Sequence, residues 1–139
     1  IPKVILLAMN NKKIPIYGTG KNVRDWIFVV DHCEAILRVL ERGKRGSSYN
    51  IAGHNELDNL TIVKKILKIM GKPTSFLKYV KDRPGHDFRY SLNTSKIEKE
   101  LNWKPKYTFE EGLDLTIRWY LNNKSWLQHI SKKNIGRTK

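Results

Sequence analysis

Apolar residues recur along the chain with two spacings, one typical of helices and one typical of strands. The alternating, β-branched segments predict strands over residues 14–17, 23–29, 48–52 and 76–80, with a further short strand over 89–92. The helical spacing predicts the end of a helix over 2–11 and helices that begin near residues 31, 59, 95 and 108. Because strands and helices alternate irregularly, the predicted class is mixed, α/β or α+β, and the order indicates part of a larger sheet structure.

Polar residues mark where the predicted helices begin. The spacing of a capping box occurs at three places: Asp31 with Glu34, Ser95 with Glu98, and Thr108 with Glu111. The helix near residue 59 is expected to start at Asn59 or Thr61. In the helix near residue 31, Ile36, Val39 and Leu40 form an apolar stripe, and Cys33 is predicted to be a buried thiol within that stripe.

The length and composition indicate one globular domain. The chain has 139 residues, of which 40% are hydrophobic and 29% charged. Cys33 is the only cysteine, so no internal disulfide can form, which favours a reducing, cytoplasmic compartment. The longest apolar runs, at 4–9 and 26–30, are far below the roughly 18 residues that a membrane span requires. The chain starts at Ile1 rather than Met, so we expect it to be a piece of a longer protein.

The net charge of +14 suggests an anionic partner, such as nucleic acid, a membrane surface or a phosphorylated metabolite. The distribution of charge favours a solvated surface instead, because lysines outnumber arginines by 19 to 8 and are spread along the chain. The densest basic tract lies within residues 131–139, which are predicted to be a frayed tail. A dedicated nucleic-acid-binding role is therefore disfavoured.

Familiar catalytic, metal-binding and cofactor-binding signatures are missing from the sequence. No cysteine, histidine or carboxylate spacing typical of a zinc or calcium site occurs. Gly18-Thr19-Gly20 resembles the start of a dinucleotide-binding loop, but the third glycine of that loop is replaced by Val23, and a strand rather than a helix is predicted next. The glycines are therefore interpreted as a tight turn.

The spacing Tyr-x-x-x-Lys, which places a lysine one helical turn after a tyrosine, occurs twice. Tyr17 and Lys21 are separated by two glycines and are not expected to be helical, while Tyr120 and Lys124 lie at the end of the last predicted helix. The composition predicts about one such match by chance. Both matches are interpreted as coincidences, so no catalytic residue is assigned.

Two segments carry candidate binding chemistry. Arg24 and Asp25 lie near the start of the predicted strand 23–29, and residues 82–90 alternate acids and bases around a Pro-Gly turn. The guanidinium groups of Arg24 and Arg83 could converge on one diphosphate, because arginine binds phosphate with two parallel hydrogen bonds. Alternatively, each arginine could pair with the aspartate next to it in sequence and fix a loop. The residues alone leave both possibilities open.

Taken together, these segments resemble the C-terminal half of the dTDP-glucose 4,6-dehydratases, which are extended short-chain dehydrogenases/reductases. The similar stretches are Pro15-Ile16-Tyr17-Gly18-Thr19-Gly20, Val23-Arg24-Asp25-Trp26, Val29-Val30-Asp31-His32, Tyr49-Asn50-Ile51, Gly53-His54-Asn55-Glu56, Asp82-Arg83-Pro84-Gly85-His86-Asp87 with Arg89-Tyr90, and Glu111-Gly112 through Thr116, Trp119 and Tyr120. The resemblance implies that this chain is the mixed α/β substrate-binding region, residues 1–139, of a Rossmann-type enzyme whose cofactor-binding core is missing here.

The resemblance also implies a reaction and a set of binding residues. The family converts dTDP-glucose to dTDP-4-dehydro-6-deoxyglucose and water with bound NAD, in deoxysugar (rhamnose) precursor synthesis. By motif position, the residues implied to bind the substrate are Pro15, Tyr17, Arg24, Asn59, Arg83 and His86. The family's NAD loop, its catalytic tyrosine and lysine and its homodimer helices belong to the N-terminal half, so the isolated chain is expected to be inactive.

Three alternatives remain open at the level of sequence. The chain could belong to a relative that acts on another nucleotide sugar, because base recognition also depends on residues outside it. It could be a non-catalytic basic module that binds nucleic acid. It could also be an incomplete domain, because in this family strand 48–52 pairs within the cofactor-binding sheet and would be left with exposed edges.

Overall fold

A computed structural model describes residues 1–127. Among them, five α-helices and four strands occur in the following order: α1 (Pro2–Met9), β1 (Ile14–Tyr17), β2 (Val23–Asp25), α2 (Val29–Arg42), β3 (Glu56–Asp58), α3 (Asn59–Ile69), a 3₁₀ turn (Thr74–Phe76), β4 (Leu77–Val80), α4 (Ser95–Leu101) and α5 (Phe109–Asn122). The predicted mixed α/β class is confirmed. The predicted tail, residues 131–139, lies outside the described residues.

The strands form two small sheets that meet near the glycine turn. β1 and β4 are parallel, with Ile14 opposite Leu77 and Tyr17 opposite Val80. β2 and β3 are antiparallel, with Val23 opposite Asp58. A single parallel bridge from Val23 to Arg89 joins the segment after β4 to β2. The chain after β4 is therefore held against both sheets.

Three apolar clusters support these strands. The first joins α1, α3 and α5 through Ile5, Ile62, Ile66, Phe109, Leu113 and Ile117. The second packs β1 on α1 and α3 through Ala8, Ile14, Ile16, Val63 and Leu67. The third joins α2 to α4 through Ala35, Ile97, Leu101 and Trp103. Because one face of β1 is buried in the second cluster, the alternate residues Pro15 and Tyr17 are directed away from it.

Some predicted helix starts are wrong. Helix α2 begins at Val29, two residues before the predicted cap, and its N-cap Phe28 makes no side-chain capping bond. The Asp31 carboxylate is instead buried and accepts hydrogen bonds from the backbone N–H of Lys106 (3.0 Å) and Tyr107 (3.1 Å). A partner 75 residues away in sequence cannot be recognised from local spacing.

The other caps differ by one residue or agree. Helix α3 is capped by Asp58, whose carboxylate accepts from the Thr61 N–H at 2.8 Å, rather than by Asn59 or Thr61. Helix α4 has Thr94, not Ser95, at its N-cap. The capping box of Thr108 and Glu111 is confirmed. Adjacent polar residues can each occupy a cap, so sequence locates such a cap only to within a residue or two.

Two predicted strands do not form within residues 1–127. The strand over 23–29 ends at Asp25, because α2 begins at Val29, and 89–92 makes only the bridge at Arg89. Residues 48–52 have no strand partner in the described chain.

The Cys33 thiol is exposed, contrary to the predicted burial, because α2 buries the opposite face. No helix in the described part is long and apolar enough to cross a membrane.

Candidate functional site

The end of β1 and the glycine turn after it form one side of the candidate site. Pro15 is half-buried, Tyr17 is exposed, and the turn at 18–20 has positive φ at both glycines, 55° and 72°. The Gly18 N–H donates to the Val80 carbonyl at 3.0 Å. A Cβ at Gly18 would lie 2.8 Å from Asp82 Oδ2, so the turn packs directly on the start of segment 82–90.

This turn does not fit the phosphates of a nicotinamide dinucleotide. Strand β2 follows the turn, whereas a dinucleotide loop leads into a helix N-terminus. A Cβ at Gly20 would lie 2.7 Å from Ile16 Cγ2 and 3.0 Å from Leu60 Cβ, so the space next to this glycine is filled by apolar side chains. The interpretation of 18–20 as a structural turn therefore agrees with the geometry, and we assign no NAD contact to it.

A small cavity of about 150 Å³ brings together three of the predicted binding residues. Pro15 and Tyr17 of β1 line it with Trp26 and with Asn59, the first residue of α3. The Asp58 cap fixes the start of α3: partial burial opposes ionisation, but hydrogen bonds from Thr61 outweigh it and lower the pKa of Asp58. The cavity thus has flat apolar walls and one amide side chain, a combination suited to a planar ring with a polar edge.

Segment 82–90 is held beside β2 by main-chain hydrogen bonds. The Val23 N–H donates to the Phe88 carbonyl at 2.7 Å, and the Tyr90 N–H donates to the Val23 carbonyl at 3.1 Å. The buried Asn22 side chain adds a bond from Nδ2 to the Asp87 carbonyl at 3.2 Å. The two segments selected from the sequence for their arginines are therefore neighbours in space.

The guanidinium of Arg24 is positioned by main-chain carbonyls and an aromatic ring. Its Nη1 donates to the Val23 carbonyl at 2.6 Å and its Nη2 to the Asp87 carbonyl at 2.9 Å. The ring of Tyr90 lies under the guanidinium, with 4.7 Å from Cζ to the ring centroid. Within residues 1–127, Arg24 forms no ion pair, so its positive charge is not neutralised by a carboxylate.

The aspartate next to Arg24 has a different partner. The Asp25 carboxylate accepts hydrogen bonds from the N–H groups of Gly53 (3.1 Å), His54 (3.3 Å) and Asn55 (3.0 Å). It therefore anchors the loop at 53–55. Asp25 therefore does not pair with Arg24, so the alternative in which Arg24 fixes a loop by pairing with the aspartate next to it is excluded.

At the other end of segment 82–90, Asp82 organises the turn. Its Oδ1 accepts from the Arg83 N–H at 2.9 Å and from His86 Nδ1 at 2.7 Å. The hydrogen bond from His86 lowers the pKa of Asp82. The His86 side chain is only 8% exposed, whereas Arg83 lies at the surface and makes no ion pair among the described residues. The imidazole is thus fixed and the second guanidinium is available to a ligand.

Tyr90 contacts both Arg24 and Asp87. Its hydroxyl donates to Asp87 Oδ2 at 2.5 Å, and this bond to a carboxylate raises the pKa of Tyr90. The positive charges of Arg24 and Arg83 oppose that rise. Asp87 and Tyr90 were not among the residues selected from sequence, although both lie in the selected segment.

Comparison with known proteins identifies the class. The sequence model of the GDP-mannose 4,6 dehydratase family matches residues 1–116. The dTDP-glucose 4,6-dehydratase of Xanthomonas campestris pv. campestris is 48% identical over 94% of this chain and 40% of its own length. The dTDP-glucose 4,6-dehydratase of Escherichia coli is 45% identical over 94% of this chain and 39% of its own length.

Solved structures of dTDP-glucose 4,6-dehydratases are also similar to this chain. The dTDP-glucose 4,6-dehydratase of Bacillus anthracis, in complex with NAD, has a TM-score of 0.85 and 47% identity, covering 90% of this chain and 40% of that one. DesIV, the dTDP-glucose 4,6-dehydratase of Streptomyces venezuelae with NAD and TYD bound, has a TM-score of 0.88 and 41% identity. The match covers 91% of this chain and 39% of that one.

The fold is therefore a portion of the Rossmann-type fold of extended short-chain dehydrogenases/reductases. The chain belongs to the GDP-mannose 4,6 dehydratase family, and the resemblance to dTDP-glucose 4,6-dehydratases is confirmed. It spans about 40% of the length of the curated relatives that it matches.

Proposed function

We propose that this chain is the nucleotide-sugar-binding part of a dTDP-glucose 4,6-dehydratase, which converts dTDP-glucose to dTDP-4-dehydro-6-deoxyglucose and water. Relatives with 45–48% identity carry that name. The observation that carries the proposal is that Arg24, which forms no ion pair among the described residues, is hydrogen-bonded to segment 82–90, the segment that contains Arg83 and His86. The NAD of the reaction, which supplies hydride transfer, is bound by residues outside this chain.

The two parts of the site suit the two parts of a nucleoside diphosphate. Pro15 and Tyr17 offer apolar surface to the nucleoside, and the Asn59 amide offers a donor and an acceptor. The guanidinium groups of Arg24 and Arg83 neutralise the diphosphate, with His86 as a further polar contact that Asp82 holds in place. Main-chain carbonyls and the Tyr90 ring orient Arg24 before the ligand arrives, which lowers the entropic cost of binding.

The proposal includes the absence of turnover by the isolated chain. Helix α5 ends at Asn122, so Lys124 lies beyond the helix that carries Tyr120. Tyr17 is in a strand, and Lys21 follows the glycine turn. Neither pair therefore shares a helix face. A lysine four residues after a tyrosine can lower the pKa of that tyrosine only when both residues lie on one helix face. We expect no product from dTDP-glucose and NAD, and any turnover by the pure chain would contradict this part.

We further propose, from the resemblance alone, that the complete enzyme is a homodimer in the cytoplasm. Light scattering of a full-length family enzyme that carries this segment measures the first point. A monomer at micromolar concentration would contradict it.

Calorimetric titration of the 139-residue chain with dTDP tests the binding function. We expect Arg24→Ala and Arg83→Ala each to weaken dTDP binding by about tenfold or more, because each removes a charge-assisted contact to phosphate. Arg118→Ala is the matched control, since Arg118 is an exposed arginine on α5 that pairs with Asp114 at 2.6 Å. We expect this control to bind dTDP within about twofold of the unaltered chain.

Partial ligands separate the two halves of the site. Arg24→Ala should weaken binding of inorganic pyrophosphate and leave binding of thymidine unaffected. Tyr17→Ala should weaken binding of thymidine and leave binding of pyrophosphate unaffected. GDP-mannose, used as a competitor, tests whether another nucleotide sugar is preferred. Unchanged dTDP affinity in both arginine variants would overturn the proposed site.

A further inference from the structure

Segment 82–90 is held in place with little apolar burial. Its proline is exposed, and so are both of its aromatic side chains, Phe88 by 68% and Tyr90 by 55%. The hydrophobic effect, which is roughly proportional to the apolar area removed from water, therefore does little to fix this segment. Its position depends on polar contacts with the strands beside it.

A single ion pair joins segment 82–90 to another element within residues 1–127. Arg89 Nε donates to Glu56 Oε2 at 2.7 Å, and Arg89 Nη2 donates to Glu56 Oε1 at 2.9 Å, so the two groups pair through two parallel hydrogen bonds. The Ser91 hydroxyl donates to the same carboxylate at 2.6 Å. The bonds from Arg89 and Ser91 lower the pKa of Glu56 below its ordinary value of 4.5. We call Glu56, Arg89 and Ser91 the Glu56 clamp.

The Glu56 clamp lies on the face of β2 opposite to the candidate site. Arg24 of β2 stacks on the ring of Tyr90, so these two side chains share one face. Neighbouring residues of a strand point to opposite faces, and residues directly opposite each other in an antiparallel pair share a face. Glu56 lies opposite Asp25, the neighbour of Arg24, and it contacts Arg89, the neighbour of Tyr90. The clamp therefore crosses β2 on the far face, and β2 itself separates it from a ligand at Arg24.

We propose that Glu56 and Arg89 are positioning residues of the diphosphate site: their ion pair ties segment 82–90 to β3 across β2. The inference rests on the proposed function, because it assigns the clamp a role in that binding site. Arg24 depends on the position of the same segment, since its Nη2 donates to the Asp87 carbonyl at 2.9 Å. A segment that is in position for only part of the time lowers the apparent affinity by that fraction.

The direction of the change in affinity distinguishes positioning from simple electrostatics. If attraction between charges alone acts, removal of a carboxylate near an anion site strengthens anion binding. Positioning requires the opposite: we expect Glu56→Gln to weaken binding of inorganic pyrophosphate to the 139-residue chain by about fivefold in calorimetric titration. Glu110→Gln is the matched control, because Glu110 also forms an exposed ion pair, with Lys65 at 2.8 Å, and loses the same charge. We expect this control to bind pyrophosphate within about twofold of the unaltered chain.

Arg89→Lys keeps the net charge and tests geometry alone. The lysine ammonium lacks the planar fork that bonds both carboxylate oxygens, so we expect pyrophosphate binding to weaken by about threefold. Thymidine binding should stay unchanged, because Pro15 and Tyr17 lie on β1, which packs on α1 and α3. The thermal midpoint should fall by no more than about 3 °C, since exposed ion pairs contribute little to stability. Arg89→Lys also provides the test if the Glu56 variant does not fold.

A double variant tests whether the two residues act as one unit. Glu56→Gln combined with Arg89→Gln should bind pyrophosphate no more weakly than Arg89→Gln alone, because either single change already opens the clamp. Losses that add would show that Arg89 contacts the ligand itself, and they would overturn the inference.

Unchanged or stronger pyrophosphate binding by Glu56→Gln would also overturn the inference. An equal loss of pyrophosphate and thymidine binding by Arg89→Lys would do the same, because it would indicate general loss of structure. The arginine variants of the site separate this result from the proposed function. Weakened dTDP binding by Arg24→Ala, with the clamp variants unaffected, would refute the positioning role alone. A chain that binds neither dTDP nor pyrophosphate would refute the proposed function.

Discussion

Arg24 illustrates how individual side chains define the candidate site. Its two hydrogen bonds go to carbonyl groups of Val23 and Asp87, and these uncharged acceptors fix the guanidinium without neutralising it. Tyr90 adds its ring below the guanidinium and ties its own hydroxyl to the Asp87 carboxylate. The positive charge thus stays available to an anion, which is the property that a diphosphate site requires.

Two substitutions of Tyr90 separate the contributions of its ring and its hydroxyl. Tyr90→Phe keeps the ring under Arg24 and removes the bond to Asp87, whereas Tyr90→Leu removes both. We expect dTDP binding to weaken by about twofold for Tyr90→Phe and by about five- to tenfold for Tyr90→Leu, because the ring positions the guanidinium. Calorimetry with dTDP measures both. Equal losses for the two variants would show that the ring has no separate effect.

At the scale of elements, short strands and caps place the binding residues. β1 is only four residues long, yet it is held by a buried face on α1 and α3 and by pairing with β4. Helix α3 begins at Asn59, directly after its cap Asp58, so the cap determines where the Asn59 amide lies. The glycine turn and the cap of α3 are also linked, because the Leu60 N–H donates to the Gly20 carbonyl at 3.0 Å.

The Asp58 cap makes a testable pH-dependent contribution to stability. Its pKa is lowered in the folded chain from the ordinary value of 3.8, so its stabilising effect is present above pH 3.8 and is lost as the pH falls below that value. We expect Asp58→Ala to reduce the free energy of unfolding by about 1 kcal/mol at pH 7. Urea denaturation at several pH values measures the difference.

The difference between Asp58→Ala and the unaltered chain should shrink steadily as the pH falls through the lowered pKa. Asp114→Ala is the control, since Asp114 forms an exposed pair with Arg118 within α5. We expect this control to cost less than about 0.5 kcal/mol. A stability difference for Asp58→Ala that stays constant down to pH 2 would contradict the assignment of the ionised carboxylate as the cap.

At the scale of the whole molecule, the net charge of +14 and the proposed binding site are separate features. Many of the lysines are exposed and spread over the surface, whereas the candidate site uses two arginines and a fixed histidine. Several of the basic side chains are paired with carboxylates, as in the contacts of Lys65 with Glu110 and of Lys106 with Glu34, both at 2.8 Å or less. The overall charge therefore does not by itself define a nucleic-acid surface.

Salt dependence distinguishes these two features. We expect dTDP-glucose binding to weaken by no more than about tenfold between roughly 50 and 200 mM salt, because the ligand carries few charges. Nucleic-acid binding through many phosphates would weaken by about a thousandfold or more over the same range and would not depend on the sugar. Fluorescence titration with dTDP-glucose and with a short DNA duplex measures both. A duplex that binds more tightly than dTDP-glucose at 200 mM salt would favour the basic-module alternative.

The sequence by itself determined the mixed α/β class, β1 with its glycine turn, the capping box of Thr108 and Glu111, and the segments that contain Arg24 and Arg83. These features depend on neighbouring residues, so periodicity and turn chemistry suffice to find them. The tertiary structure decided which carboxylate serves which partner. Asp31 and Asp25 accept from backbone groups that are distant in sequence, and local spacing cannot encode such partners.

Tertiary structure also decided which face of α2 is covered. Both faces are apolar, so periodicity alone cannot tell which one packs, and burial of Cys33 was the wrong choice. The bonds to Asp31 direct one face inward and leave the other to solvent. Whether residues 49–52 form a strand is also decided by tertiary structure, because a strand forms only where a second strand is available to accept its hydrogen bonds.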